Sequence, residues 1–406
     1  MALCICQLLF SKNKIVAMRL GYHFDAEKLS RTFELGPIRP PSEAYSLLIR
    51  ATRNCPWNKC LFCHLYKGCK FELRPVDEIF KDIEAAKAII EGIKEIAWRM
   101  GYGNGVREVA ATLFNQPQYS QCVRSVALWL WGGGESAFLQ DSNSLIMRTP
   151  QLIQVITYLK DAFPGLNRIT SYSRSHTAAR KSLEELKELK DAGLDRIHIG
   201  LETGYDPLLD YMQKGVTSEQ QVKGGRKVKD AGISLCEYVM PGLGGKKMSQ
   251  QHARETARVL NEINPDYIRL RSLHVSPSMP LWSKLQDGDF ELQTEDDVVK
   301  EIGIFVDNLQ VTSYLKSDHI VNLLAEVEGK MPEDKQECLK VVNKYLSLPE
   351  EERLNFRLGR RMGYYESLAD LADDHKHYKV GDVIKHIKAD GESVEKVIFK
   401  LKDGFI

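Results

Sequence analysis

The stretch RNCPWNKCLFCHLYKGC, at residues 53–69, places three cysteines on one short segment. Cys55, Cys60 and Cys63 form a C-x4-C-x2-C array, with the aromatic Phe62 directly before the last of them. Three thiolates can bind three corners of a four-iron, four-sulfur cluster and leave one iron open for chemistry. Two alternatives stay open on the cysteines alone: a zinc site completed by His64 or Cys69, and thiols that bind nothing.

Strand-like and helix-like segments alternate along the chain from the start of this region. A strand predicted at residues 43–55, EAYSLLIRATRNC, leads straight into the cysteine segment. Further strands are predicted at 125–135, 168–176, 195–203, 233–245 and 266–280. Helices are predicted at 74–100, 149–163, 182–193, 218–232 and 250–263. This alternation predicts an α/β fold, a partial (β/α)6 TIM-type barrel, with functional groups gathered at the carboxyl ends of its strands.

The pattern divides the chain into three parts. Residues 1–42 are expected to be an N-terminal leader and extension, and residues 43–285 to form the barrel. Residues 286–406 are expected to be a mainly helical accessory region, with one helix at 317–329 and a short β tail at 394–405. Met18 opens a plainer sequence, so residues 1–17 are interpreted as a leader outside the natural protein.

The composition is that of a soluble globular protein. Fifty-six Lys and Arg balance 55 Asp and Glu, giving a net charge of +1, and 43% of residues are hydrophobic. Such a balance provides no overall field that would favour nucleic acid or an anionic membrane. The nine cysteines are an odd number, and no secretory signal precedes them, which argues against a disulfide framework. A cytoplasmic location is expected.

Taken together, these motifs resemble the radical SAM superfamily, which cleaves S-adenosylmethionine reductively at a 4Fe-4S cluster. The resemblance rests on the cysteine array, the GGGE sequence at 132–135, the six-fold alternation and IGLETGYDPLLDYMQKG at 199–215. The last sequence is similar to the branch that contains coproporphyrinogen oxidase and the Elongator catalytic subunit. The first cysteine interval is one residue longer than the common C-x3-C, and Leu65 stands where the coproporphyrinogen enzymes carry a further cysteine.

The resemblance implies roles for residues at the expected strand ends. Cys55, Cys60 and Cys63 would be the cluster ligands and the catalytic centre, with the cluster's open iron chelating the methionine end of the cofactor. Arg226 would pair with the cofactor carboxylate, because a guanidinium fork suits that partner. His176, His198 and Arg271 are weaker candidates for substrate contacts. The remaining expected cofactor-binding residues are Phe62, Gly132, Gly133, Gly134, Glu135, Ser173, Glu202, Met240, His274 and Val275.

The expected reaction is hydrogen abstraction from an unidentified small molecule by a 5′-deoxyadenosyl radical. A low-potential donor such as flavodoxin or ferredoxin would supply the electron, and neither nucleic acid nor membrane is expected as a partner. Two alternatives stay open. One is an Elongator-like enzyme that modifies RNA, and the other is a zinc-stabilised binding protein without catalysis.

Overall fold

Eight strands pair into one sheet whose order follows the chain. The computed structural model describes residues 26–404. Strands β1 to β7 are parallel, and β8 runs antiparallel to β7. The strands are β1 (Leu47–Arg50), β2 (Ser136–Gln140), β3 (Arg168–Ser173), β4 (Leu194–Glu202), β5 (Ser234–Val239), β6 (Tyr267–Leu270), β7 (Tyr314–Lys316) and β8 (Gly329–Lys330).

Helices connect the strands and follow the last of them. In chain order, the α-helices of the described residues are α1 (Ala26–Ser30), α2 (Val76–Arg99), α3 (Val106–Leu113), α4 (Gln121–Trp131), α5 (Thr149–Ala162), α6 (Ser175–Arg180), α7 (Leu183–Ala192), α8 (Asp206–Tyr211), α9 (Ser218–Asp230), α10 (Gly245–Ile263), α11 (Leu281–Gln286), α12 (Glu295–Asn308), α13 (Lys335–Ser347), α14 (Glu350–Arg361), α15 (Asp374–Ala389) and α16 (Val394–Asp403). Short 3-10 helices lie at Pro41–Glu43, Ser144–Ile146 and Leu368–Ala372.

The sequential strand order confirms the expected α/β fold. Because parallel strands are joined by right-handed crossovers, an order without reversal places the helices that connect β2 to β7 on one side of the sheet. This is the winding of a (β/α) barrel rather than of a doubly wound sheet. Within residues 26–404, β1 and β8 are not paired with each other, so the barrel is partial.

The two faces of the sheet differ in chemistry. Leu139, Ile197 and Leu235 are fully buried on the outer face, where strand alternation directs side chains toward the helices. The opposite face, here called the inner face, carries aromatic rings. Phe138 lies 5.0 Å from Tyr172 between ring centroids, and Tyr172 lies 6.0 Å from His198.

Helix boundaries follow from local chemistry. Ser182 and Glu185 form a capping box at the start of α7, and Gly193 ends that helix with a φ of 115°. A Cβ on Gly224 would lie 2.8 Å from the carbonyl oxygen of Ser175, so this glycine lets α9 approach α6 closely.

Three predicted elements are wrong. Residues 125–135 are not a strand, because α4 ends at Trp131 and the glycines turn the chain into β2. No helix forms at 317–329, where the sheet instead continues beyond residue 285 with β7 and β8. The expected β tail is helix α16, whose residues Val394 and Ile398 are buried at helical spacing.

The chain forms two compact units. One contains residues up to 34 together with 80–134, and the other contains 35–79 and the residues from 135 onward. Within residues 26–34 and 80–134 the regular elements of the first unit are helices, and there the Cys122 thiol donates a hydrogen bond to the Phe33 carbonyl oxygen over 3.2 Å. Across residues 26–404, no helix has the length and hydropathy needed to cross a bilayer. The interpretation of residues 1–17 as a leader falls outside the described residues.

Candidate functional site

The cysteine loop follows the carboxyl end of β1. A two-residue pairing of Thr52–Arg53 with Glu72–Leu73 closes its base. Inside the loop, the Asn58 side chain donates to the carbonyl oxygen of Tyr66, and Lys67 Nζ donates to the Asn58 carbonyl oxygen over 2.8 Å. These bonds hold Cys55, Cys60 and Cys63 on one braced segment.

The three thiols lie within electrostatic reach of one another. Burial raises the pKa of Cys60, and the neighbouring Cys63 and Cys55 raise it further, whereas Lys214 and Arg174 lower it. Burial also raises the pKa of Cys63, with Cys55 adding to the rise. Because metal ligation needs thiolates, binding at this loop would release protons, and the two cations favour the deprotonated form.

An iron-sulfur cube and a single metal ion need different arrangements of the same thiolates. Each thiolate of a cube binds a different iron, so the sulfur atoms need not converge on one point. Across the described part of the chain, no three His, Cys, Asp or Glu side chains are grouped to hold a single metal ion. His64 and Cys69 stay the candidates for a fourth ligand in the zinc alternative.

Apolar residues from the loops after four strands pack against two of the three cysteines. Cys60 and Cys63 lie against this cluster, and so does Met240, which follows β5. The strand ends that sequence alternation predicted to gather do meet here. The fully or nearly fully buried members of the cluster are Phe62, Leu208, Met212, Leu243, Leu273, Val275, Leu281 and Phe290.

Glu202 ends β4 in a left-handed conformation, with a φ of 65°. Its Oε1 lies 3.2 Å from Lys214 Nζ, and a Cβ on Gly200 would come within 2.1 Å of that same oxygen. Gly200 therefore makes room for the carboxylate to turn back along the strand. The Met240 amide donates to the Glu202 carbonyl oxygen over 3.0 Å, which joins the ends of β4 and β5.

The structure removes the predicted glycine motif from the site. Gly132, Gly133 and Gly134 precede β2 rather than follow it, so they do not lie at its carboxyl end. The Glu135 carbonyl oxygen accepts the Asn167 amide over 2.8 Å, at the start of the neighbouring strand β3. The error arose because VALWLW is as apolar as a buried strand and the glycines resemble a strand exit.

Asp141, which the sequence analysis missed, occupies the strand end assigned to those glycines. It follows β2, and its Oδ2 accepts hydrogen bonds from Arg50 Nη2 over 2.6 Å and from the Asn54 amide over 3.0 Å. Burial raises the pKa of Asp141, while Arg50 lowers it. The polar run after the apolar residues 137–139 was the available signal.

Two other predicted cofactor residues lie in different surroundings from those expected. Arg226 is half exposed on α9, and its Nε donates to the Glu262 carbonyl oxygen over 2.8 Å, so it does not reach the cysteine loop. His274 is buried against α16, where its Nε2 donates to Asp403 Oδ1 over 2.6 Å and its ring lies 4.8 Å from Phe399.

The remaining candidates are placed as follows. Ser173 is buried at the end of β3, and its hydroxyl donates to Asn143 Oδ1 over 3.3 Å. His198 is fully buried, with Nε2 3.4 Å from Glu43 Oε1, and is therefore a partnered core histidine. His176 lies on α6, where burial and the nearby Arg174 and Arg180 lower its pKa.

Comparison with known proteins identifies the superfamily. Residues 121–257, which begin after the cysteine loop, match the family model described as the Radical SAM superfamily. A tRNA uridine(34) acetyltransferase of Methanocaldococcus jannaschii is 22% identical over 120 residues, which are 29% of this chain and 22% of that protein. The chain thus spans under a quarter of that relative's length.

Two solved structures are also similar to this chain. The archaeal Methanocaldococcus infernus Elp3 with an N-terminal deletion has a TM-score of 0.39 at 15% identity, covering 52% of this chain and 54% of that one. Coproporphyrinogen III oxidase from Escherichia coli has a TM-score of 0.41 at 15% identity, covering 71% of this chain and 56% of that one. The radical SAM family implies a 4Fe-4S cluster and S-adenosylmethionine, and residues 121–257 of this enzyme form a radical SAM domain.

Proposed function

We propose that this protein cleaves S-adenosylmethionine reductively and uses the product to abstract hydrogen from a small molecule. The observation that carries the proposal is the packing of Cys60 and Cys63 against an apolar cluster built largely from the loops after β4, β5 and β6, with Cys55 within electrostatic reach of both thiols. When bound at Cys55, Cys60 and Cys63, a 4Fe-4S cluster would supply the electron that breaks the S–C5′ bond, giving methionine and a 5′-deoxyadenosyl radical.

The residues around the loop have separable tasks in this proposal. Phe62, Leu243 and Val275 exclude water from the space beside the thiols, which protects a reactive intermediate. Lys214 and Arg174 offset the negative charge of the thiolates. Glu202 and Met240, at the ends of β4 and β5, are the proposed contacts for the polar parts of S-adenosylmethionine, with flavodoxin or ferredoxin as electron donor.

The test is anaerobic reconstitution with iron and sulfide, followed by reduction in the presence of S-adenosylmethionine. We expect about four irons per chain and formation of 5′-deoxyadenosine. Single Cys→Ala changes at 55, 60 or 63 should abolish both, whereas Cys69→Ala, which removes an exposed cysteine of the same loop, should leave both intact. Zinc without iron or sulfide in the reconstituted protein, or loss of metal in the Cys69 variant, would instead support the zinc-stabilised alternative.

An RNA substrate is the second candidate, since the relative from Methanocaldococcus jannaschii is named for a tRNA uridine. The resemblance covers 29% of this chain and 22% of that relative. Binding of a transfer RNA that weakens steeply as salt rises would favour this candidate. Salt-independent or absent binding would favour the small molecule.

A further inference from the structure

Several cationic side chains lie on the inner face of the sheet or beside it, and most of them pair with a carboxylate. Arg50 pairs with Asp141, Lys214 with Glu202, and Arg269 with Asp318. Arg174 and Arg271 have no carboxylate partner among residues 26–404. Arg174 lies close to the thiols of Cys55 and Cys60, which provide the negative charge that it faces.

Arg271 has no such explanation. Its backbone amide donates to the Val239 carbonyl oxygen over 2.9 Å, continuing the pairing of β5 with β6 by one residue. Strand alternation therefore directs its side chain to the inner face, as it does for Arg269 two residues earlier. The side chain is exposed, and within the described residues it makes neither a hydrogen bond nor an ion pair.

Arg271 acts electrostatically on two side chains that can donate hydrogen bonds. Its charge acts on Tyr172 of β3 and on His319, which follows β7. Burial and Arg271 lower the pKa of His319 to about 4, so its imidazole is neutral at pH 7. His319 Nδ1 accepts the Val321 amide over 3.3 Å, so Nε2 carries the proton and can donate.

A guanidinium, an imidazole N–H and a phenol hydroxyl thus act on one another near the carboxyl ends of the strands. The carboxylates that act on the same groups are already bound: Asp318 by Arg269, Glu202 by Lys214 and Glu43 by Arg168. Arginine in such a setting binds carboxylate or phosphate through paired hydrogen bonds. We propose that Arg271 binds an acidic group of the substrate, so the substrate is a small organic acid or phosphate ester. This inference rests on the proposed function, which makes the bound acid a substrate rather than another ligand.

The test compares Arg271→Gln with Arg226→Gln, a matched change at an arginine that pairs with Glu262 on the helical side. Inorganic phosphate and acetate serve as probes in thermal unfolding at constant ionic strength, with chloride as the reference. We expect one or both anions to raise the melting temperature of the parent and of Arg226→Gln, and to lose this effect in Arg271→Gln. Equal responses in all three proteins would overturn the site.

The carboxylate of S-adenosylmethionine is the other source of the same chemistry. Equilibrium dialysis of the reconstituted protein distinguishes the two, because a substrate site predicts unchanged S-adenosylmethionine affinity and unchanged 5′-deoxyadenosine formation without substrate in Arg271→Gln. A tenfold or greater loss of S-adenosylmethionine affinity would assign Arg271 to the cofactor and overturn the inference. If the parent protein forms no 5′-deoxyadenosine at all, the proposed function fails. The thermal unfolding data would still decide whether Arg271 binds an anion.

A second inference concerns the longer first interval of the cysteine array and depends on separate contacts. Trp57, inside that interval, donates its Nε1–H to the Gln213 carbonyl oxygen over 2.7 Å. The Leu61 amide donates to the Met212 carbonyl oxygen over 3.0 Å. A Cβ on Gly215 would come within 2.1 Å of the Trp57 ring.

Arg174 covers the same ring at 5.0 Å from its centroid, and its Nη2 donates to the Lys214 carbonyl oxygen over 2.8 Å. We infer that Trp57 and Gly215 form a dock that positions the cysteine loop, and that Arg174 adds positive charge beside the cluster ligands. Charge near a cluster is one of the factors that set its reduction potential.

Two measurements other than activity test this. Trp57→Ala should retain less iron per chain after desalting than Trp57→Phe, which keeps an aromatic ring. Gly215→Ala should reduce iron retention less in the Trp57→Ala background than in the parent protein. Arg174→Gln should move the cluster's midpoint potential to a more negative value, with Arg174→Lys restoring it and Arg226→Gln leaving it unchanged. Unaltered iron retention and potential throughout would overturn the dock, whereas a parent protein without any cluster would overturn the proposed function.

Discussion

Glu301 provides the sharpest test of how the loop after β5 is held in place. It lies on α12 and is only 2% exposed. Its Oε1 accepts the Gly242 amide over 2.7 Å, and its Oε2 accepts the Ser249 hydroxyl over 2.6 Å. Gly242 belongs to the loop that follows Met240, one of the proposed cofactor contacts.

Replacing Glu301 by alanine removes both bonds and leaves the buried Gly242 amide without its acceptor. A hydrogen bond to a charged group contributes about 1.5–3 kcal/mol, so the local opening of this loop should become easier by that amount. Since about 1.4 kcal/mol corresponds to a factor of ten, the Gly242 amide should exchange with solvent roughly ten to a hundred times faster. Glu301→Gln, which keeps one acceptor oxygen, should show a smaller effect.

Hydrogen exchange measured by mass spectrometry over peptides that contain residues 240–245 is the assay. Glu262→Gln is the control, because it alters an exposed ion pair on α10 and should leave those peptides unchanged. If Glu301→Ala exchanges like the parent across these residues, the carboxylate does not hold the loop, and the reasoning from these contacts is wrong.

Three further outcomes are expected. Gly224→Ala should destabilise the protein by about 1–3 kcal/mol through overpacking against Ser175. Gly381→Ala on α15, where a Cβ meets only one atom at 3.7 Å, should stabilise it by up to about 1 kcal/mol. Chemical unfolding that shows a stabilised Gly224→Ala and a destabilised Gly381→Ala would contradict the packing argument. Phe62→Ala should cost about 3–5 kcal/mol and reduce iron retention, measured by unfolding and iron analysis, and a neutral result would show that the apolar cluster does not support the loop. The pKa of His319 is lowered to about 4 from an ordinary 6.5, so between these pH values the unfolded state binds more protons than the folded state. The free energy of unfolding should therefore fall as pH falls from 6.5 to 4. His319→Asn should flatten this dependence, and an unchanged pH profile in that variant would contradict the assignment to His319.

The sequence predicted the parallel alternation and the cysteine loop because both depend on local patterns. Strands β3 to β6 and their helices have clear periodicity and caps, such as Ser182 with Glu185, and they appear close to their predicted positions. The errors lie where composition conflicts with structure. VALWLW is apolar enough for a strand, yet Ser120 caps it as helix α4, and the tail at 394–403 alternates weakly but buries one helical face.

Long-range partners explain what the sequence left out of the site. Nothing near Asp141 in the sequence indicates that Arg50 pairs with it, since 91 positions separate them. Trp57 and Gly215 are likewise joined only by the fold. The pairing of Arg226 with Glu262 removed a plausible cofactor ligand for the same reason, because two adjacent helices had to be placed before the contact could be seen.

The order of synthesis has a consequence for metal insertion. The thiols at positions 55–63 are made early, but their packing partners extend to Phe290, about 230 residues later. At roughly 5–20 residues per second, a ribosome needs about 10–50 s to supply those partners. During that interval the apolar partners of Cys60 and Cys63 are absent, so both sulfur atoms are open to oxidation and to other metal ions. The proposed cluster would therefore meet its complete binding site only after the second half of the barrel has emerged.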